Sequence, residues 1–452
     1  MVQQMDVTTA QTTVITPPPV AGRTLPTIEL PRASFDFDVA IVGLGYVGLP
    51  TALSFTAAGA RVLGYEISDR RRETILSDKA DLLPRDHDRL HRALADDTLH
   101  MTNEVDRLAS AAAVIICVPT PVDAHLVPDL TPVKSACASV VAHAVPGQVL
   151  ILTSTTYVGT TRDLLVDALR GRGLEAGRDV FVAFSPERID PGNNSVAQEQ
   201  TPRVLGGVTA HCSERAREVL SVYASSVHVV SSPESAELTK LYENTFRAVN
   251  IALANELADV SRHLDVEVME VIDAAATKPY GFMRFTPGPG VGGHCIPCDP
   301  HYLLWQLKHL RGMAPLIEQA MSSIAMRPSQ VVNRIRDVLG AAGCRVRDAR
   351  ILVVGVTYKP GVEDVRESPA LEVIDLLAEH GAHVDYTDPL IPSLITGDGK
   401  TLHSIGVPPA DSYDLVLLMT MHPGEDYEWA ASHPLLLDTT YTFDLAPHRA
   451  VL

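Results

Sequence analysis

The stretch Asp38-Val-Ala-Ile-Val-Gly-Leu-Gly-Tyr-Val-Gly48 restricts the fold of this chain more than any other. The apolar run Val39 to Val42 reads as a strand buried in a parallel sheet. It leads into glycines at 43, 45 and 48, after which Leu49 to Ala58 continues in a helical pattern. The segment Gly59-Ala-Arg-Val-Leu-Gly-Tyr-Glu66 supplies the next strand and ends in an acid. The three glycines have distinct physical roles. Gly43 permits a tight turn, Gly45 lets backbone approach a pyrophosphate, and Gly48 lets helix and strand pack closely. The pyrophosphate then lies on a helix N-terminus. Glu66, 18 residues beyond Gly48, is placed to take the ribose hydroxyls of a dinucleotide. An acid there repels a 2′-phosphate, which favours NAD over NADP. Arg71 leaves alternatives open: a partner for such a phosphate, a packing surface for adenine, or a solvated helix charge.

Further strands follow in α/β rhythm. Ala113-Val-Ile-Ile-Cys-Val-Pro-Thr-Pro121 and Val149-Leu-Ile-Leu-Thr-Ser-Thr-Thr156 are apolar runs that end in loops. Loops at strand C-termini face the ligand crevice of a doubly wound sheet, so Thr120 and Thr155 are candidates to touch the nicotinamide half. They can equally be ordinary turn-forming hydroxyls. From Glu237 to about Leu264 the pattern becomes a long helix, with apolar residues at three- and four-residue spacing. Lys240 and Asn244 are four apart and share one face. Then comes Pro287-Gly-Pro-Gly-Val-Gly-Gly-His-Cys-Ile-Pro-Cys-Asp-Pro300, whose glycines can let backbone N–H groups wrap an anion. Cys295 follows that loop directly and suggests a covalent nucleophile, reactive as the thiolate. Cys295-Ile-Pro-Cys298 also has the spacing of a metal or redox pair, although Cys117, Cys137, Cys212 and Cys344 supply no second CxxC.

Arg350 to Lys359 is another strand and loop, followed by a helix from about Ala370 to His380. Gly381-Ala-His-Val-Asp-Tyr-Thr-Asp388 then echoes Gly59 to Glu66, and Asp414 to Met419 and Leu435 to Asp438 read as later strands. The last third is therefore predicted to be a second Rossmann-like unit without the full glycine fingerprint. A length of 452 residues suits two or three domains. With 37 basic against 55 acidic residues, a net charge of −18 argues against a nucleic-acid partner. No apolar run reaches membrane-span length, and six cysteines in so long a chain fit a reducing compartment, so a cytoplasmic protein is expected. Residues 1–35, rich in Thr, Pro, Val and Gln, read as a disordered tail with no signal-peptide pattern.

These motifs resemble the UDP-glucose/UDP-N-acetylmannosamine dehydrogenases, bacterial nucleotide-sugar 6-dehydrogenases. The matching blocks are Gly43 to Gly48, Val118-Pro-Thr-Pro121, Ser154-Thr155, Ser185-Pro-Glu-Arg-Ile-Asp-Pro-Gly192, Lys240-Leu-Tyr-Glu-Asn244, Gly292-Gly-His-Cys295, and Tyr358-Lys359 with Arg366-Glu-Ser368. Thr277-Lys-Pro-Tyr-Gly-Phe-Met283 running into Pro287 to Pro297 looks most like the UDP-N-acetylglucosamine 6-dehydrogenases. The resemblance implies an α/β protein of two Rossmann-like domains joined by a long central helical dimerisation segment. It implies an NAD-binding domain over 36–232, a central domain over 233–328 and a UDP-sugar domain over 329–452. It further implies oxidation of a UDP-sugar C6 alcohol to the acid with two NAD⁺, in a homodimer. Cys295 would hold the aldehyde, Lys240 and Asn244 the oxyanion, Thr155 and Asp299 a proton-accepting water, while Glu187 would activate the hydrolytic water. Tyr46, Val47, Arg71 and Arg366 would join the glycines, Glu66 and Thr120 around NAD. Arg188, Ile189, Arg247, Gly292, Tyr358 and Lys359 would contact the nucleotide sugar. No metal is implied. The chain departs from the family pattern at Thr153, often an acid, and at Thr440, where many members carry an arginine that helps bind UDP.

Overall fold

The computed structural model describes residues 35–123, 125–188, 198–293, 296–406, 412–446 and 449–452. The expected tail up to residue 34, Ile189 and Cys295 lie outside the described residues. An eight-stranded sheet comprises β1 (Phe37–Val42), β2 (Val62–Tyr65), β3 (Leu99–Thr102), β4 (Ala111–Ile116), β5 (Val149–Leu152), β6 (Phe181–Phe184), β7 (Arg203–Gly207) and β8 (Val227–Val230). Its order is β3-β2-β1-β4-β5-β6-β7-β8. The first six strands are parallel in the order of a dinucleotide-binding sheet, whose ligand crevice opens where the order reverses, between β1 and β4. Strand β7 runs antiparallel to β6, and β8 follows β7 in the same reversed direction.

Alternation along the central strands explains why both faces are apolar. Val39, Ile41, Ile115 and Ile151 pack on one side against Leu49, Leu53 and Phe55 of the helix Gly48–Ala57. Ala40, Val42, Val114, Ile116 and Leu150 pack on the other against Val133 and Val140 of the helix Thr131–His143. A strand covered on both faces must be apolar throughout, which is the pattern read from these runs.

The helix expected from Glu237 runs from Pro233 to His263. Ser232 caps it by accepting from the Ser235 N–H at 3.2 Å, Pro233 and Glu234 open its first turn, and Arg262 and His263 close its last. A second long helix, Pro315–Ala341, accommodates Pro328 in its interior. The boundary expected between residues 328 and 329 falls inside this helix. The second sheet consists of β9 (Arg350–Val354), β10 (His383–Thr387), β13 (Leu415–Leu418), β14 (Leu436–Asp438) and β15 (Ala450–Val451), all parallel, in the order β10-β9-β13-β14-β15. A two-stranded hairpin, β11 (Ser393–Ile395) and β12 (Thr401–His403), stands beside it. Among the described residues no helix is long and apolar enough to cross a membrane.

The glycine turn after β1 depends on close approach. Gly43 has φ +88°, and a Cβ on Gly48 would lie 1.8 Å from the Gly43 carbonyl oxygen. A Cβ on Gly45 would meet nothing within 4 Å. Gly48→Ala should therefore cost about 1–3 kcal/mol of stability through overpacking and lower the melting temperature by several degrees. Gly45→Ala, measured by the same thermal unfolding, should melt as the parent does.

Candidate active site

Glu66 directly follows β2 and turns its carboxylate back onto the glycine loop. Its Oε2 accepts from the Leu44 N–H and its Oε1 from the Ser68 N–H, each at 2.9 Å. Arg71 reaches across from the helix Asp69–Leu76, and its Nε donates to the Leu44 carbonyl at 2.9 Å. Of the readings open for Arg71, the free solvated charge is the one this contact replaces. The open space before Gly45 and the anchored acid at the end of β2 are the two features that a dinucleotide needs. Tyr46 projects from the same loop: burial and the neighbouring Asp81 raise its phenol pKa, and the Arg366 guanidinium lies 5.1 Å from its ring centre. Arg366 is itself held by Asp364 at 2.6 Å, and its carbonyl accepts from the Gly293 N–H at 3.0 Å.

The loops after β4 and β5 are braced to each other. Ser154 Oγ accepts from the Val118 N–H at 2.9 Å and donates to the Val118 carbonyl at 2.8 Å, with Thr120 buried beyond and Thr155 half-buried beside it. The next turn is clamped from two sides. Glu237 on the long helix accepts from the Gly159 N–H at 2.6 Å, the Thr161 N–H at 2.9 Å and the Thr161 hydroxyl at 2.6 Å. Gln306, on the helix Asp299–His309, exchanges two hydrogen bonds with the Val158 backbone, at 3.0 and 2.7 Å.

That clamp aligns the catalytic candidates. Glu237, Lys240 and Asn244 succeed one another at three- and four-residue spacing, and all three are buried. Asn244 Nδ2 donates to Asp299 Oδ2, and Asp299, at the first turn of its helix, is 1% exposed. Burial pushes the Asp299 carboxyl up to about 6, against the opposing pull of Lys240 and the Asn244 hydrogen bond. Tyr302, fully buried, neighbours both Thr120 and Asp299, so the helix carrying Asp299 meets the loop after β4.

Glu187 lies in the loop after β6. Its Oε2 accepts from Arg203 Nη1 at 2.7 Å and from Gln198 Nε2 at 3.4 Å, and its Oε1 accepts from the Arg188 N–H at 2.8 Å. Both members of the Glu187–Arg203 pair are buried. Arg188 instead pairs with Glu243, its Nη2 at 2.5 Å from Oε1, on the face of the long helix that Arg247 leaves exposed.

Gly292 and Gly293 pack against Tyr358: a Cβ on either would come within 2.8 Å of its side chain. This places the glycine loop beside the Tyr358-Lys359 segment after β9. A cavity of about 220 Å³ opens there, at the C-terminal ends of β9, β13 and β14. It is lined by Pro287, Thr357, Tyr358, Ser368, Thr420 and Thr440, among others, and none of its described lining side chains is charged. Thr440 is tied down locally by Asp438 and Thr442, each at 2.7 Å. Cys298 is buried just before Asp299, and the described residues assemble no group of three or more metal-ligating side chains.

Sequence reasoning missed Arg203, Glu237, Gln198 and Gln306. An arginine that opens a strand and a glutamate near the start of a helix look like surface charges until their partners are known.

Residues 37–225 match the NAD binding domain of the UDP-glucose/GDP-mannose dehydrogenase family, residues 234–323 its central domain, and residues 352–447 its UDP binding domain. The chain is 36% identical to Protein CapL of Staphylococcus aureus over 355 residues, covering 78% of this chain and 82% of that one. It is 32% identical to UDP-N-acetyl-D-glucosamine 6-dehydrogenase of Pseudomonas aeruginosa over 389 residues, covering 86% and 91% of the two chains. The solved structure of UDP-D-ManNAc dehydrogenase from Pyrococcus horikoshii superimposes with a TM-score of 0.83 at 31% identity, over 91% of this chain and 98% of that one. With all three domains of the family matched in order, this chain belongs to the UDP-glucose/GDP-mannose dehydrogenase family and is an NAD-dependent nucleotide-sugar dehydrogenase.

Proposed function

We propose that this enzyme oxidises the C6 hydroxyl of UDP-N-acetylglucosamine to the carboxylate in two successive oxidations. The observation that carries the reading is the buried Lys240–Asn244–Asp299 cluster, set beside the strand-end loops that bear Thr120 and Thr155. The glycine turn, Glu66, Tyr46 and Arg366 would hold NAD, which when bound supplies the hydride acceptor for each oxidation. The hydroxyl proton passes to a water held by Thr155 and Asp299, while the Lys240 ammonium and the Asn244 amide stabilise the alkoxide. The Cys295 thiolate then attacks the aldehyde carbon and retains it as a thiohemiacetal, whose oxidation gives a thioester. Glu187 takes a proton from the water that cleaves this thioester, returning the thiolate and releasing the acid. The Thr277 to Met283 and Pro287 to Pro297 sequences favour the N-acetylglucosamine sugar. A second reading, UDP-N-acetylmannosamine, is favoured by relatives bearing that name, among them one from Pyrococcus horikoshii at 34% identity.

The long helix also supports a homodimer, because Leu238, Tyr242, Phe246, Leu253 and Val260 leave an exposed apolar stripe along it. A stripe of this kind on a folded chain marks an association surface.

Three outcomes are expected. In a panel of UDP-N-acetylglucosamine, UDP-N-acetylmannosamine and UDP-glucose, the first should give the highest kcat/KM, with two NADH per sugar and no aldehyde trapped by a hydrazine reagent. One NADH per sugar with free aldehyde would overturn the four-electron reading. The water takes the proton only while the Asp299 that holds it is ionised, and the raised Asp299 carboxyl takes up its own proton below about pH 6. Accordingly kcat should fall as pH drops through that value, and Asp299→Asn should remove this acid limb along with most activity. Light scattering should report a dimer for the parent chain and a monomer for Leu253→Asp combined with Tyr242→Asp.

A further inference from the structure

Among the described strands of the first sheet, one junction is antiparallel, and it lies beside Glu187. The pairs Ala183↔Gly207 and Phe184↔Gly206 fix the register between β6 and β7. Continued three residues, that register sets Glu187 opposite Arg203. A parallel neighbour would present its last residues at the ligand edge of the sheet; the reversed β7 presents its first. Arg203 is 2% exposed, and its backbone is pinned to β8 by donation to the Ser226 carbonyl at 2.9 Å. Its guanidinium holds Glu187 Oε2 at 2.7 Å through Nη1 and the Ser185 carbonyl at 3.4 Å through Nη2. One rigid fork thus grips both the carboxylate and the backbone two residues before it, which the point charge of a lysine cannot duplicate. Gln198 completes the frame, joining Glu187 at 3.4 Å to Thr51 of the helix Gly48–Ala57 at 3.3 Å.

We propose that Arg203 is a positioning residue for thioester hydrolysis: it aims the Glu187 carboxylate at the hydrolytic water and takes no part in either hydride transfer. This rests on the reading of Glu187 as the base. A buried ion pair is weak evidence for stability as such, because desolvation offsets its attraction. Its geometry is therefore better explained by the orientation of the acid. Arg203 touches neither substrate nor cofactor in this scheme, so its loss should slow only the last step.

The test is intact-protein mass after acid quench, with UDP-N-acetylglucosamine or, if the panel selects it, UDP-N-acetylmannosamine. Arg203→Met should release its first two NADH at the parent rate, accumulate a sugar-acyl adduct on the protein, and lose on the order of 10²-fold in kcat, the low end for a general base. Arg203→Lys, which keeps the charge and is the safer variant for folding, should be slowed about tenfold with a smaller adduct. Combined with Glu187→Gln, Arg203→Met should add less than about twofold, since residues acting as a unit are not additive. A lowered melting temperature with no adduct in Arg203→Lys, or full additivity with Glu187→Gln, would reduce Arg203 to a structural role. If Glu187→Gln alone hydrolyses its adduct at the parent rate, it is the assignment of the base that fails, and the proposal with it.

Discussion

The Glu237 carboxylate is the joint on which the site depends. It is 1% exposed and receives two backbone N–H groups and a hydroxyl from the turn Gly159–Thr161, with no cation among those three partners. Burial raises its pKa in spite of those hydrogen bonds, so its charge is held at a cost. Each hydrogen bond to a charged group contributes about 1.5–3 kcal/mol, and together they fix the rotation of the long helix against β5. Lys240 and Asn244 sit one and two turns further along the same face. A helix rotated by one residue, about 100°, would carry both away from Asp299.

The two sheets use one device with different endings. Gly43 has φ +88° with the Cys117 carbonyl 2.7 Å from where a Cβ would sit, and Gly355 has φ +79° with the Thr420 carbonyl at 1.9 Å. Leu44 N–H donates to Glu66, and Val356 N–H donates to Asp388 at 2.7 Å. Beyond that the copies diverge. Thr357 and Pro360 stand where the first sheet has Gly45 and Gly48. Asp388 is further occupied by the Leu390 and Ile391 N–H groups and by His422. The second acid is consumed in holding its own sheet together, and the cavity moves towards Thr420 and Thr440.

The first turn, the long helix and four of the five strands of the second sheet were legible in sequence because each rests on local periodicity or on glycines at sterically demanding positions. The Pro233–His263 helix lies within a few residues of its expected span, and the helix Pro369–Glu379 within one. Strands β3, β6 to β8 and β15 were not legible. Strand β8 is only partly buried, so its pattern is weak, and nothing local announces that β7 reverses direction. The Arg203–Glu187 and Glu237–Thr161 contacts span 16 and 76 residues and exist only once the sheet is assembled. Long-range pairing of charges leaves no periodic trace.

Arg366 touches three parts of the molecule at once. Its guanidinium lies over Tyr46 of the first glycine loop, its backbone carbonyl holds Gly293, and Ser368, two residues on, caps a helix at the cavity beside β9. On the proposed assignment of the two sites, cofactor and sugar nucleotide would lean on opposite sides of this single short segment. A shift that one ligand imposed on it would then be felt by the other, and linkage would make the effect equal in both directions: whatever factor the sugar applies to dinucleotide affinity, the dinucleotide applies to the sugar. The proposed reaction, which must exchange one spent dinucleotide for a fresh one while its half-oxidised sugar stays in place, would be carried out across that shared wall.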